Sequence, residues 1–139
     1  SLLRSAAAAG FRQVLLSDDC AQVWSPKALR AAMGAHFLLS LHENVDLAAF
    51  LATYRGKVLA TAVAARHSLY TVELTEPLAW IFGSEGQGIR PALLALCRER
   101  AHIPMAAGTE SLNVAAAAAV CLFETQRQRS APVMSRRSG

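Results

Sequence analysis

The chain has 139 residues, enough for one domain that buries roughly two thirds of its unfolded surface. Hydrophobic residues make up 53%, many of them alanine, yet no apolar run approaches the ~20 residues that span a bilayer. The net charge of +4 sits in Arg127, Arg129, Arg136 and Arg137, beyond the last acidic residue, so the body before them is neutral.

In chain order, residues 2–9 read as the end of an alanine-rich helix closed by Gly10. Residues 13–16 form a short apolar strand, followed by the polar turn Ser17-Asp18-Asp19. Ser25 and Pro26 suit the cap and first position of a helix reaching about Met33. A second strand is expected over residues 37–41 and a helix over 45–54. A third strand over residues 57–63 is apolar enough for burial on both faces. A fourth, 78–82, runs into a glycine-rich loop. Pro91 opens a helix ending near Arg100, a fifth strand covers 101–105, and a long alanine-rich helix covers 112–126. Residues 127–139 are expected to be a basic, disordered tail, which divides the chain into a domain at 1–126 and that tail.

Short buried strands alternating with helices predict an α/β fold, a mostly parallel sheet flanked by helices. Ligands bind such sheets beyond the carboxyl ends of the strands, which singles out the loops after Val63, Phe82 and Met105. Cys20, Cys97 and Cys121 lack C-x-x-C spacing, so neither a zinc site nor a disulfide framework is supported. Reduced, buried thiols in a cytoplasmic protein are expected, with no metal and no membrane. No signal peptide is visible around Arg4, and a start without Met, within an element, predicts a piece of a longer protein.

The loop "WIFGSEGQGI", residues 80–89, sets three glycines around Glu85. A dinucleotide fingerprint requires G-x-G-x-x-G after the first strand, whereas here the order is reversed and late in the chain. A phosphate-binding loop requires a following Gly-Lys-Ser/Thr, which is missing. With no basic residue before Arg90, the loop suits a neutral or cationic ligand. Hydrolase chemistry is equally unsupported: His36, His42, His67 and His102 flank no serine or cysteine motif and read as structural or surface residues. Further on, "IPMAAGTESLNV", residues 103–114, joins a strand end to a helix start. Taken alone, Ser111 caps that helix and Asn113 fills a turn.

Together the two segments resemble the SpoU (TrmH) family of RNA 2′-O-ribose methyltransferases. Its G-x-E-x-x-G motif matches residues 83–88, and its I-P-M…S-L-N-V motif matches residues 103–114 nearly letter for letter. Of the motif N-x-G-x-x-x-R only Arg4 is present. The resemblance covers residues 2–129 and implies a deep C-terminal trefoil knot, a homodimer and S-adenosylmethionine as cofactor. It further implies that Ala60, Thr61, Ala62, Gly83, Ile103, Met105 and Leu112 hold the cofactor, Gly83 by making room for it. Arg4 would grip a phosphate and stabilise the developing alkoxide, Ser111 and Asn113 would orient the ribose, and Glu85 would fix Asn113 or Arg4. The implied activity is methyl transfer to a ribose 2′-hydroxyl of structured RNA, and "CLFETQRQR" is similar to the ribosomal-RNA branch, which favours ribosomal RNA over transfer RNA while leaving both open. A non-catalytic knotted module for RNA binding or dimerisation is the alternative, and a nicotinamide oxidoreductase the distant third.

Overall fold

A computed structural model describes residues 2–17, 40–83, 88–108 and 112–138. The expected helix at 25–33, the turn at Asp18-Asp19, the first residues of the second strand, Cys20, His36, Glu85 and Ser111 lie outside the described residues.

Helix α1, Leu2–Ala8, ends in a Schellman motif. The Phe11 amide donates to the Ala6 carbonyl at 2.9 Å and Gly10 to Ala7 at 3.1 Å. The motif requires the left-handed φ of +88° that Gly10 adopts without a Cβ penalty. Strand β1, Gln13–Leu15, pairs in parallel with β2, Ser40–His42. Helix α2, Leu47–Thr53, starts at Asp46, whose carboxylate accepts the Ala49 amide at 3.1 Å.

The second sheet holds the site. Its order is β4-β6-β3-β5, with β3 at Lys57–Thr61, β4 at His67–Ser68, β5 at Leu78–Trp80 and β6 at Glu99–His102. Every pairing among the described strands is parallel. Central β3 sends successive side chains to opposite faces. Leu59 joins Leu69, Leu74, Ala101 and Cys121 on one face. Val58 and Ala60 join Leu51 and Cys97 on the other. The first face is covered by helix α4, Val114–Ser138, which also packs through Ala118 and Leu122 on Ala6 of α1 and Ala9 just after it. The opposite face carries α2 and helix α3, Pro91–Leu94.

Four expectations need correction. The helix opened by Pro91 stops at Leu94 rather than near Arg100, because residues 99–102 are recruited as β6 beside β3. There the Glu99 backbone pairs with Leu59, and its carboxylate lies 3.9 Å from the Lys57 ammonium. Strand β6 is therefore shifted two residues toward the N-terminus of the expected position. Strand β4 has only two residues, too few to give a periodic signal, and was not expected. Finally, α4 continues past Gln126 to Ser138, where a disordered tail was expected. The Gln128 amide group accepts the Leu74 N–H at 2.8 Å and donates to the Val72 carbonyl at 2.9 Å. Arg129 donates to the carbonyls of Leu74 at 3.2 Å and Glu76 at 3.0 Å. Gln128 and Arg129 thus clamp the segment after the 3-10 turn Leu69–Thr71.

Candidate active site

The last backbone bond between β3 and β6 runs from the Ala62 amide to the Ala101 carbonyl at 3.0 Å. Beyond it the two chains part, and a cleft of about 480 Å³ opens at their carboxyl ends. Thr61, Ala62 and Val63 form one wall; His102, Ile103, Pro104, Met105 and Ala106 form another; Leu112, just before α4, and Ala117 on α4 close it. Among these lining residues His102 is the one ionisable side chain, and it meets the Ala65 carbonyl through Nδ1 at 2.9 Å.

Five of the seven residues expected to hold a cofactor, Thr61, Ala62, Ile103, Met105 and Leu112, meet in this cleft. Ala60 does not line it. The alternation of β3 turns Ala60 to the Val58 face, where it is fully buried, and turns Thr61 toward α4. Gly83 has a different constraint from the one expected. A Cβ there would strike the backbone of Gly88 and Ile89, so the close approach is within the protein itself. Gly88 holds a left-handed φ of +70° at the other end of that approach.

Asn113 is the N-cap of α4. Its Oδ1 accepts the Ala116 amide at 2.8 Å while its carbonyl accepts the Ala117 amide at 2.9 Å. Capping therefore falls to Asn113, where the plain reading gave it to Ser111. Arg4 stands exposed on α1 and is not part of the cleft lining. Val63, His102, Pro104, Ala106 and Ala117 complete the cleft and were not expected there. For His102 the available signal was its position, immediately before Ile103 at a strand end.

Near the sheet, burial pushes the Cys121 thiol up to about 12, and burial likewise raises the Cys97 thiol despite nearby Arg100. Neither is poised as a nucleophile. No cluster of potential metal ligands occurs among the described residues, and no helix among them is long and apolar enough to cross a membrane.

The model of the SpoU rRNA Methylase family matches residues 1–123. The chain belongs to this family. The 23S rRNA (guanosine-2′-O-)-methyltransferase RlmB of Photorhabdus laumondii is 40% identical over 131 residues, covering 92% of this chain and 54% of that protein. The SpoU methyltransferase AviRb of Streptomyces viridochromogenes, solved in complex with AdoMet, superposes with a TM-score of 0.81 at 28% identity, covering 94% of this chain and 55% of the other. A structure concerned with the 2-OH methylation of C/U34 on tRNA gives a TM-score of 0.77 at 31% identity, over 91% of this chain and 80% of that one. The chain spans about half the length of the curated relatives it matches.

Proposed function

We propose that this chain is the methyl-transferring domain of an RNA 2′-O-ribose methyltransferase. It would move a methyl group from S-adenosylmethionine to a ribose 2′-hydroxyl of structured RNA, ribosomal RNA ahead of transfer RNA. The observation that carries this is the convergence of Thr61 and Ala62 with Ile103, Met105 and Leu112 in one cleft at the strand ends. Its ~480 Å³ lies within the usual range for small-molecule sites, and its aliphatic lining beside strand-end backbone suits an adenosine-sized ligand. The ribosomal preference draws on the RlmB relative and on the segment 121–129.

In this reading the backbone around Ala62, Ile103 and Met105 and the side chain of Leu112 hold the cofactor, which supplies an electrophilic methyl group. The remaining task is to align a ribose hydroxyl and to manage its very weakly acidic proton. Arg4, charged at all ordinary pH values, would hold the flanking phosphate and stabilise the developing alkoxide. Asn113 would orient the ribose. With Oδ1 engaged by Ala116, the group it offers is the Nδ2 donor. Ser111 would assist it, and Glu85 would hold Asn113 or Arg4 by a charge-assisted hydrogen bond. Gly83 contributes by letting the backbone at 88–89 approach. We further propose the trefoil knot and the homodimer that the family resemblance implies, and the cytoplasmic location expected from the cysteine pattern, with the domain extending through residue 129.

Calorimetric titration with S-adenosylmethionine, paired with transfer of labelled methyl to ribosomal and transfer RNA, tests this reading. Arg4→Ala is expected to lower transfer by about 10²-fold or more while leaving cofactor affinity within about threefold. A wild-type dimer that binds no cofactor would favour the non-catalytic module instead. Mapping 2′-O-methyl sites in RNA from a deletion strain would identify the substrate.

A further inference from the structure

Strands β3 and β4 both pair with β6, and residues 62–66 connect them, with Ala62 and Val63 lining the cleft. Beyond the bond from Ala62 to Ala101 this connection leaves the ladder. A turn holds it locally, with the Ala65 amide donating to the Ala62 carbonyl at 3.1 Å. Apolar packing does little to fix it, since Val63 is 79% exposed while lining the cleft. The contact that reaches across to β6 is His102 Nδ1 against the Ala65 carbonyl at 2.9 Å. A carbonyl oxygen only accepts, so Nδ1 carries the hydrogen and donates it.

We infer that His102 is a positioning residue, latching the 62–66 connection through Nδ1 and thereby setting the Ala62–Val63 wall of the methyl-donor cleft. The inference rests on the methyl-donor reading of the cleft. A side chain that ties two walls together beyond the end of their shared ladder fixes the gap a ligand must fill. Such support from outside the contact shell holds a binding geometry in place before the ligand arrives. His102 is well sited for this because its backbone pairs with Ser68, which anchors the far end of the same connection.

Two isosteric substitutions separate the latch from a direct contact. In His102→Asn an amide N–H takes the place of Nδ1, whereas in His102→Gln it takes that of Nε2. The full chain carrying His102→Ala or His102→Gln is expected to bind S-adenosylmethionine about tenfold more weakly, with a matching rise in KM and kcat within about twofold. His102→Asn is expected to stay within about threefold of wild type. Hydrogen exchange on the ligand-free chains gives a second readout: amides of residues 62–66 should exchange faster in the Ala and Gln variants than in wild type or Asn. Rescue by Gln but not Asn would overturn the latch in favour of a direct contact through Nε2. Unchanged exchange in all three variants would overturn it too, as would faster exchange without any loss of affinity. If wild type itself bound no cofactor, the methyl-donor reading would fail, and exchange would still report whether Nδ1 holds the connection.

Discussion

Asn113 is proposed to serve twice with one amide. Its oxygen caps α4, and its nitrogen is the group proposed to meet the ribose. The two are separable because aspartate keeps an accepting oxygen and removes the donor. Asn113→Asp should melt within a few degrees of wild type, helped by a negative charge at the helix N-terminus, yet lose most methyl transfer. Asn113→Ala should lose both, with about 1 kcal/mol of stability gone in urea titration. Equal activity of the Asn113→Asp and wild-type chains would remove Asn113 from the catalytic group. In the sequence the pattern S-L-N-V pointed to this residue, but not to which polar group caps. That choice depends on where the helix begins, a matter of one or two residues that no periodicity resolves.

The same limit of legibility governs Ala60, Thr61 and Ala62. The motif resemblance marked the strand end as a unit, whereas alternation sends Ala60 to the far face and Thr61 to the cleft, and Ala62 lines the cleft because it lies past the end of β3. Gly83 was legible as a required glycine, though the required space is taken by Gly88 and Ile89 backbone. His102 was visible only as a strand-end histidine without a motif. Its partner Ala65 is 37 residues away and contributes a backbone carbonyl, which leaves no trace in side-chain identity.

Among the elements, α4 departs most from expectation, and the reason is polar. Glu124 is only 6% exposed and receives Arg127 through Nε and Nη2 at 2.8 and 2.9 Å, and Gln128 at 2.9 Å. Gln128 and Arg129 then reach the 72–76 backbone. A segment read by charge alone looks like a solvated arm; its hydrogen bonds to distant backbone are a tertiary property. A chain cut after Gln126 should lose stability through the unsatisfied Leu74 N–H, with Gln128→Ala alone costing about 1–3 kcal/mol. A chain cut after Ser130 retains the clamp contacts of Gln128 and Arg129 and should unfold at nearly the wild-type urea midpoint. Equal midpoints for the two truncations would argue against the clamp.

The clamp also has an acid limit. The hydrogen bonds from Arg127, chiefly, and from Gln128 hold the Glu124 carboxyl below its ordinary 4.5, outweighing the cost of burial. A carboxyl with a depressed folded value contributes stability above its unfolded value and loses it as pH falls through the folded one. That window lies below about pH 4.5. Wild type should therefore lose more stability than Glu124→Gln between about pH 7 and about pH 3.5, as read from urea midpoints. Parallel losses would mean that the pair adds nothing to folding.

At the scale of the whole molecule, the parallel α/β architecture was legible because β3 reads as a continuous apolar run and each strand is followed by a helix or turn signal. The strand order β4-β6-β3-β5 was not, since register and crossover depend on pairings between distant segments. The packing of α1 on α4 joins the first described helix to the last. The proposed homodimer makes a prediction at this scale. Melting temperature should rise with protein concentration over about a hundredfold range, with dimer mass in sedimentation. A concentration-independent midpoint and monomer mass would count against a dimer.

Trp80 stacks on Phe82 with ring centroids 6.2 Å apart, and its indole donates to the Thr125 hydroxyl at 2.9 Å. That hydroxyl in turn donates to the Cys121 carbonyl at 2.8 Å. The strand leading to Gly83 is thereby wired to the buried side of α4 through a fluorophore. Of the two tryptophans, Trp24 can be replaced by Phe to leave Trp80 as the sole emitter. The protein thus carries an optical gauge three residues before Gly83, set in the packing between that strand and α4, which reports core loosening as a shift of one emission band.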